Sequence, residues 1–98
     1  MSALGLNRSD ILVRINALID DVRSRILKLL LNEGELRSQE IIEILVLCQS
    51  AASRHLKQLS AMGYISERRS AGAKCFELNR ERIDSSLKAI SFYLLGED

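Results

Sequence analysis

Apolar residues recur at helical spacing near the start of the chain, which predicts an amphipathic helix over residues 9–19. Ser9 can cap this helix, and Asp10 lies in its first turn, where the helix dipole favours a negative charge. Residues 1–8 are expected to be a flexible end. The apolar positions of the helix are Ile11, Leu12, Ile15, Leu18 and Ile19. Either the core or a second subunit has to cover them.

The same spacing predicts a second helix over residues 20–32 and a last helix over residues 80–95, which Asn79 can cap. The cations of the second helix are expected in solvent: Arg23, Arg25 and Lys28. The apolar positions of these two helices are Val22, Ile26, Leu29, Leu30, Ile83, Leu87, Ile90 and Leu94. The first and last helices together carry more apolar surface than a small domain easily hides, which predicts a homodimer formed through them.

Two shorter helices are predicted in the middle of the chain, over residues 39–45 and 49–62. Ser38 is the expected cap of the first, and Gly63 should end the second in a left-handed conformation. The residues expected to face inward are Ile41, Ile44, Leu45, Ala52, Leu56, Leu59 and Met62, with Leu47 filling the turn. Two short helices joined this tightly form a helix-turn-helix, here over residues 38–62.

The outer side of the helix after the turn is polar and basic. Its side chains are Gln49, Ser50, Ser53, Arg54 and Lys57. Cations reach phosphates, while amide and hydroxyl groups hydrogen-bond to base edges, so this side suits a DNA recognition helix. The alternative is an ordinary solvated helix face.

Alternation of side chains over residues 64–69 and 75–78, with a small-residue loop between them, predicts a β-hairpin over residues 64–78. Glu35, Leu36 and Arg37 form a short extended link that suits a minimal strand. The tip of the hairpin is basic, with Arg68, Arg69 and Lys74. Such a hairpin suits the wing of a winged helix approaching the DNA backbone, although its cations could also protect a solvated strand edge.

Length and charge agree with one DNA-binding domain. The chain has 98 residues and a net charge of +1, which supports a single core. Residues 47–75 hold five cations and one anion, so the positive charge is concentrated in the predicted helix-turn-helix and wing. No signal peptide or membrane-spanning segment is recognised, and a cytoplasmic location is expected.

Cysteine and histidine usage predicts no metal site and no cofactor. Cys48 and Cys75 are 27 residues apart and His55 is the single histidine, so both thiols are expected to be reduced. Cys48 begins the recognition-type helix, where the dipole favours a reactive thiolate, so it is either a redox site or simply a small residue that fits. Cys75 is expected to be buried and inert, and His55 to be partly buried with a hydrogen bond either to a local group or to a phosphate. No catalytic constellation appears, so an enzyme is not expected.

The segments Glu40-Ile41-Ile42-Glu43, Cys48-Gln49-Ser50-Ala51-Ala52-Ser53-Arg54-His55-Leu56-Lys57-Gln58-Leu59 and Gly63-Tyr64-Ile65-Ser66-Glu67-Arg68-Arg69 resemble the ArsR (arsenic-repressor) family of winged-helix transcriptional regulators. The resemblance covers the chain from about residue 20 onward. It implies a homodimer joined by the first and last helices, with Gln49, Ser50, Ser53 and Arg54 at the major groove and the wing on the DNA backbone.

The chain departs from this family in three places. Val46 replaces the usual glycine of the turn, so the turn is expected to adopt a backbone that a β-branched residue accepts. Cys48 replaces the usual Ser or Thr cap. The paired cysteines or His and Asp pairs of the metal-sensing members are missing from residues 36–45 and 80–95, so metal sensing of those kinds is not implied.

The sequence as a whole predicts a mostly helical winged helix-turn-helix protein that binds duplex DNA sequence-specifically and represses transcription. Two alternatives remain open at this stage. The winged helix could serve only protein association, or the chain could be the DNA-binding part of a longer regulator. The effector is not identified.

Overall fold

The computed structural model describes residues 7–96, which form five helices and a three-stranded antiparallel sheet of strand order β1-β3-β2. The elements are α1 (Arg8–Ile19), α2 (Asp21–Glu33), β1 (Leu36–Arg37), α3 (Ser38–Leu45), α4 (Gln49–Ala61), β2 (Ile65–Ser70), β3 (Ala73–Leu78) and α5 (Arg80–Leu95). This order is the predicted winged helix-turn-helix, in which α3 and α4 form the helix-turn-helix and β2 and β3 form the wing.

Short polar side chains begin several of the helices. Asp20 accepts a hydrogen bond from the backbone of Arg23, and Asn79 caps α5 as predicted. The prediction that Ser9 caps α1 is wrong. Asn7 is the cap, and its side-chain oxygen accepts a 2.9 Å hydrogen bond from the backbone N–H of Asp10. Asn7 and Arg8 therefore belong to the start of α1, and the rest of the predicted flexible end lies outside the described residues.

The start of α3 differs from the prediction in the same way. Ser38 is the first residue of the helix and Arg37 is its N-cap. The backbone N–H of Arg37 donates to Glu40 Oε1 at 2.9 Å, so a carboxylate in the first turn bonds back to the N-cap residue. Ile44 of α3 was predicted to face inward and instead lies largely in solvent, while Ile41 is fully buried and Leu45 packs against the core as predicted.

The core is built around the inner side of α4. Leu56 and Leu59 pack with Ile26 and Leu30 of α2, and further buried members of the cluster are Ala17, Ile41, Tyr64, Ile65 and Phe76. Leu47 packs against this cluster from the turn, as predicted. The core therefore holds one side of α4 and leaves its other side open.

The turn before α4 corrects one expectation. Val46 has φ 54° and ψ 57°, the left-handed conformation that its β-branched side chain disfavours. Its backbone N–H donates to carbonyls near the end of α3, and its side chain is 89% exposed. The turn thus keeps the geometry of a glycine turn although a valine occupies it.

The wing is tighter than the sequence predicts. Ser70 pairs with Ala73 and Arg69 with Lys74, so only two residues connect the strands instead of a five-residue loop. Ala71 and Gly72 have φ values of 52° and 79°, which is the pattern of the two-residue turn that matches strand twist. The basic residues at the tip are consequently held in the strands rather than in a loop.

Candidate nucleic-acid interface

One side of α4 is buried and the other is open. Ala52, Leu56 and Leu59 are buried, and the predicted recognition residues are all exposed: Gln49, Ser50, Ser53, Arg54 and Lys57. The core therefore fixes this helix through its apolar side, and its amide, hydroxyl and cationic groups remain available to a partner. Gly63 follows with φ 81° and ends the helix in the expected left-handed conformation.

Cys48 is the N-cap of α4, and its side chain makes no capping hydrogen bond. Its exposed Sγ lies 3.0 Å from the hydroxyl of Ser50. The pKa of Cys48 is lowered, first by this hydroxyl and then by the backbone N–H groups of Ala51 and Ser50, while the charge of Arg54 adds to the effect. The predicted thiolate-stabilising surroundings are therefore present at the start of the helix. Cys75 is buried, as predicted.

Beneath α4 lies a buried cation that the sequence prediction missed. Arg23 was expected in solvent but is only 7% exposed. Its Nη1 donates to Gln58 Oε1 at 2.9 Å and lies 3.3 Å from His55 Nδ1. Its Nε and Nη2 donate to the carbonyls of Ala17 and Asn16, each at 3.0 Å. Burial of this arginine is possible because its donors meet carbonyls left without helical partners at the end of α1.

His55 is buried beside this arginine and has a local partner, which is one of the two predicted alternatives. Arg23 can only donate, so Nδ1 of His55 accepts and the ring proton of the neutral imidazole lies on Nε2. Burial lowers the pKa of His55, Asp20 at 4.0 Å from Nδ1 raises it, and the charges of Arg23 and Arg54 lower it further. The net result is a histidine that favours the neutral form.

The three basic residues of the wing have different surroundings. Arg68 forms a bidentate salt bridge with Glu35, in which Nε and Nη2 each donate to a carboxylate oxygen at 2.6 Å. Arg69 and Lys74 face each other across the strands, where Arg69 donates to the carbonyl of Gly72. Lys74 also lies 3.8 Å from Glu67. Arg68 therefore has a closely bound counter-charge and Lys74 a more distant one in Glu67, while Arg69 lies beside Lys74 across the strands.

A second buried polar group joins the wing to the terminal helices. Ser86 of α5 is fully buried, accepts a hydrogen bond from the Tyr64 hydroxyl at 2.8 Å and is also contacted by Arg14 of α1. The sequence prediction missed this contact, because Ser86 adjoins the apolar position Leu87. The one available signal was a small polar residue in the middle of an apolar stripe.

The terminal helices expose much of their predicted apolar surface. They pack against each other, yet Val13 is 55% and Leu94 is 65% exposed. Further exposed apolar side chains on α1 and α5 are Leu12, Ile19, Leu87, Tyr93 and Leu95. The side of α5 that faces the protein instead buries the small residues Ser86 and Ala89. These apolar side chains of α1 and α5 are called the terminal-helix surface below.

Two further observations concern residues 7–96. No three His, Cys, Asp or Glu side chains in this part of the chain come together in a group that could hold a metal ion. None of its helices is long and apolar enough to cross a membrane.

The fold, with its open polar face on α4 and its basic hairpin, defines a winged helix-turn-helix protein. A family model for bacterial regulatory proteins of the arsR family matches residues 20–67. The chain is also 37% identical over 76 residues to the arsenic resistance transcriptional regulator ArsR1 of Pseudomonas putida. This chain belongs to the arsR family. The alignment covers 74% of this chain and 59% of ArsR1, so the chain spans less than two thirds of that relative.

Solved structures agree with this assignment. The transcriptional regulator HlyU from Vibrio vulnificus is 30% identical with a TM-score of 0.66, and the match covers 87% of this chain and 88% of that one. NolR from Sinorhizobium fredii is 27% identical with a TM-score of 0.69, covering 92% of this chain and 89% of NolR. The similarity to solved structures therefore extends beyond the helix-turn-helix to most of the chain.

Proposed function

We propose that this protein is a sequence-specific duplex-DNA-binding regulator that represses transcription by occupying its site. The observation that carries the proposal is the split between the two sides of α4. Its apolar side is buried in the core, and its base-reading and phosphate-binding groups are all exposed. A helix held in this way can enter a major groove without any loss of core packing.

The proposed roles follow the chemistry of each side chain. Arg54 and Lys57 contact phosphates, and the shorter polar groups reach base edges from the first turns of α4: Gln49, Ser50 and Ser53. Arg69 and Lys74 of the wing contact the backbone, with a smaller contribution from Arg68. A homodimer through the terminal-helix surface presents two α4 helices to successive major grooves, about 34 Å apart.

The test is a titration of a duplex recovered by selection from a random library, followed by fluorescence anisotropy at several salt concentrations. Arg54→Ala should weaken binding and reduce the slope of log affinity against log salt by about 0.9, the value for one phosphate contact. Lys28→Ala removes an exposed cation from α2 and serves as the control. An unchanged slope for Arg54→Ala would remove that assignment.

The same titration separates this proposal from a protein-association role for the winged helix. A protein that recovers no duplex from the library and binds no mixed genomic DNA at low salt would support association as its function. DNA binding at low salt that falls steeply with added salt would support the regulatory function.

Redox control through Cys48 stays a prediction. Its exposure and lowered pKa favour oxidation at the point where α4 would approach DNA. Peroxide should then lower the DNA affinity of the wild-type protein and leave Cys48→Ser unaffected. Equal affinities of the two proteins after treatment would count against this control.

A further inference from the structure

Arg23 connects two parts of the molecule that the sequence alone leaves unrelated. Two of its nitrogens donate to the carbonyls of Asn16 and Ala17, which lie in the last turn of α1. A third nitrogen donates to Gln58 of α4 and lies against His55 of the same helix. One guanidinium group thus joins the end of α1 to α4.

The geometry of this group makes the connection directional. A guanidinium is planar and its N–H groups point in fixed directions, so the two bonds to α1 determine the plane in which it lies. The remaining N–H groups then determine where Gln58 can sit. Because Gln58 belongs to the same helix as the predicted recognition residues, this contact adds to the core packing in setting how α4 is oriented relative to α1.

We propose that Arg23 is a positioning residue for DNA recognition, which sets the orientation of α4 relative to α1 through Gln58. The inference rests on the proposed function, since it concerns how the recognition side of α4 meets DNA. Part of the terminal-helix surface is on α1, so in the proposed dimer the relative placement of the two α4 helices depends on this contact. Arg23 itself does not touch DNA.

The first experiment compares the wild-type protein with Arg23→Lys. Lysine keeps the positive charge but cannot donate in three fixed directions, so α4 should lose its orientation while the fold is retained. The measured quantity is the ratio of affinities for the selected duplex and for a scrambled duplex of the same composition. We expect this ratio to fall by about tenfold, because a hydrogen bond to a charged group is lost, with affinity for the scrambled duplex unchanged. A merely structural role would lower the unfolding temperature and leave the ratio of the folded protein unchanged.

The second experiment is a double-mutant cycle with Gln58→Met. Gln58 is exposed, so Gln58→Met alone is expected to fold even if a change at Arg23 does not, and it should lower the affinity ratio by about the same tenfold; an unchanged ratio in Gln58→Met would overturn the proposal. If Gln58 acts through Arg23, the loss of specificity in Arg23→Lys/Gln58→Met should equal that of either single variant. Additive losses would mean that Gln58 contacts DNA directly and would overturn the proposal.

The outcomes distinguish a failure of the positioning role of Arg23 from a failure of the proposed function. Folded variants that discriminate between the duplexes as well as the wild type would overturn the role of Arg23 alone. A wild-type protein that cannot discriminate between them would overturn the proposed function, and the positioning role with it. Circular dichroism at the temperature of the titration establishes that each variant is folded.

Discussion

Val46 holds a backbone conformation that its own side chain disfavours. A left-handed conformation costs an L-residue roughly 1–2 kcal/mol, and a β-branched side chain adds to the crowding. Val46 is 89% exposed, so removing its side chain sacrifices little packing. We therefore expect Val46→Gly to raise the free energy of unfolding by about 1 kcal/mol, measured by urea denaturation.

The matched control is the same substitution at Val13, which is also exposed but lies inside α1. Glycine in a helix interior is less favourable than valine, so Val13→Gly should lower the stability. If Val46→Gly also lowers it, the strain assigned to the turn is absent.

His55 makes the free energy of unfolding depend on pH near the ordinary pKa of histidine. It is the single histidine of the chain, and its folded pKa is lowered by burial. The unfolded state, with a histidine pKa of about 6.5, therefore binds a proton more readily than the folded state. The contribution of His55 is fully present above that value and is lost as the pH falls below it.

The measurement is the free energy of unfolding between about pH 7.5 and pH 5.5, the range around the unfolded pKa of histidine. We expect it to decrease on acidification in the wild type and to change less in His55→Gln, whose amide oxygen can still accept from Arg23. Asp20 also has a lowered pKa, but a carboxyl group titrates below this window. Parallel profiles of the two proteins would contradict the assignment.

At the scale of elements, the three wing cations should not contribute equally to DNA binding. The charge of Arg68 is already compensated by Glu35, and this contact raises the pKa of Arg68 and lowers that of Glu35. Arg69→Ala should therefore reduce the salt slope by about 0.9, and Arg68→Ala should reduce it by less.

Glu35→Gln provides the complementary measurement, because it removes the counter-charge and keeps the shape of the side chain. It should raise DNA affinity at low salt by making Arg68 available to a phosphate. Equal slopes for Arg68→Ala and Arg69→Ala, together with no gain in Glu35→Gln, would mean that the ion pair with Glu35 does not limit the contact of Arg68 with DNA.

Element order and most helix ends could be predicted from the sequence because their signals are local. Asn79 caps α5 and Gly63 follows α4 as expected, and both act within one turn of the helix end. Ser9 and Ser38 failed as caps because both lie inside their helices, whose N-caps are Asn7 and Arg37. The burial of Arg23 could not be predicted, since it depends on carbonyls of a different helix.

At the scale of the whole molecule, periodicity showed that α1 and α5 are amphipathic but not which side faces the core. The buried side of α5 carries the small residues Ser86 and Ala89, and Ser86 is satisfied by Tyr64 and Arg14 from two other parts of the chain. Leu87 and Leu94, which the spacing marks as a stripe, lie outside. The side of α5 with Ser86 and Ala89 therefore faces the protein, Ile83 of the stripe packs against the core, and Leu87 and Leu94 face solvent.

The exposed apolar residues of α1 and α5 predict how two copies of the chain would associate. An exposed apolar surface on two helices that pack together is costly in water, and burying it against a second copy recovers about 25 cal/mol per Å² of apolar area. Val13→Glu places a charge in this surface and should convert the proposed dimer to a monomer, measured by sedimentation equilibrium. DNA affinity should fall with it, because one α4 reads only half of a two-fold site.

Val46→Glu is the control for this substitution, since Val46 is more exposed than Val13 and lies in the turn before α4, away from the terminal-helix surface. It should leave the molecular mass unchanged. The comparison separates loss of the interface from a general effect of added charge. A dimeric Val13→Glu would mean that α1 does not form the contact between copies and that the apolar residues of α5 supply it. A wild-type protein that is monomeric at concentrations where it binds DNA would overturn the proposed dimer itself.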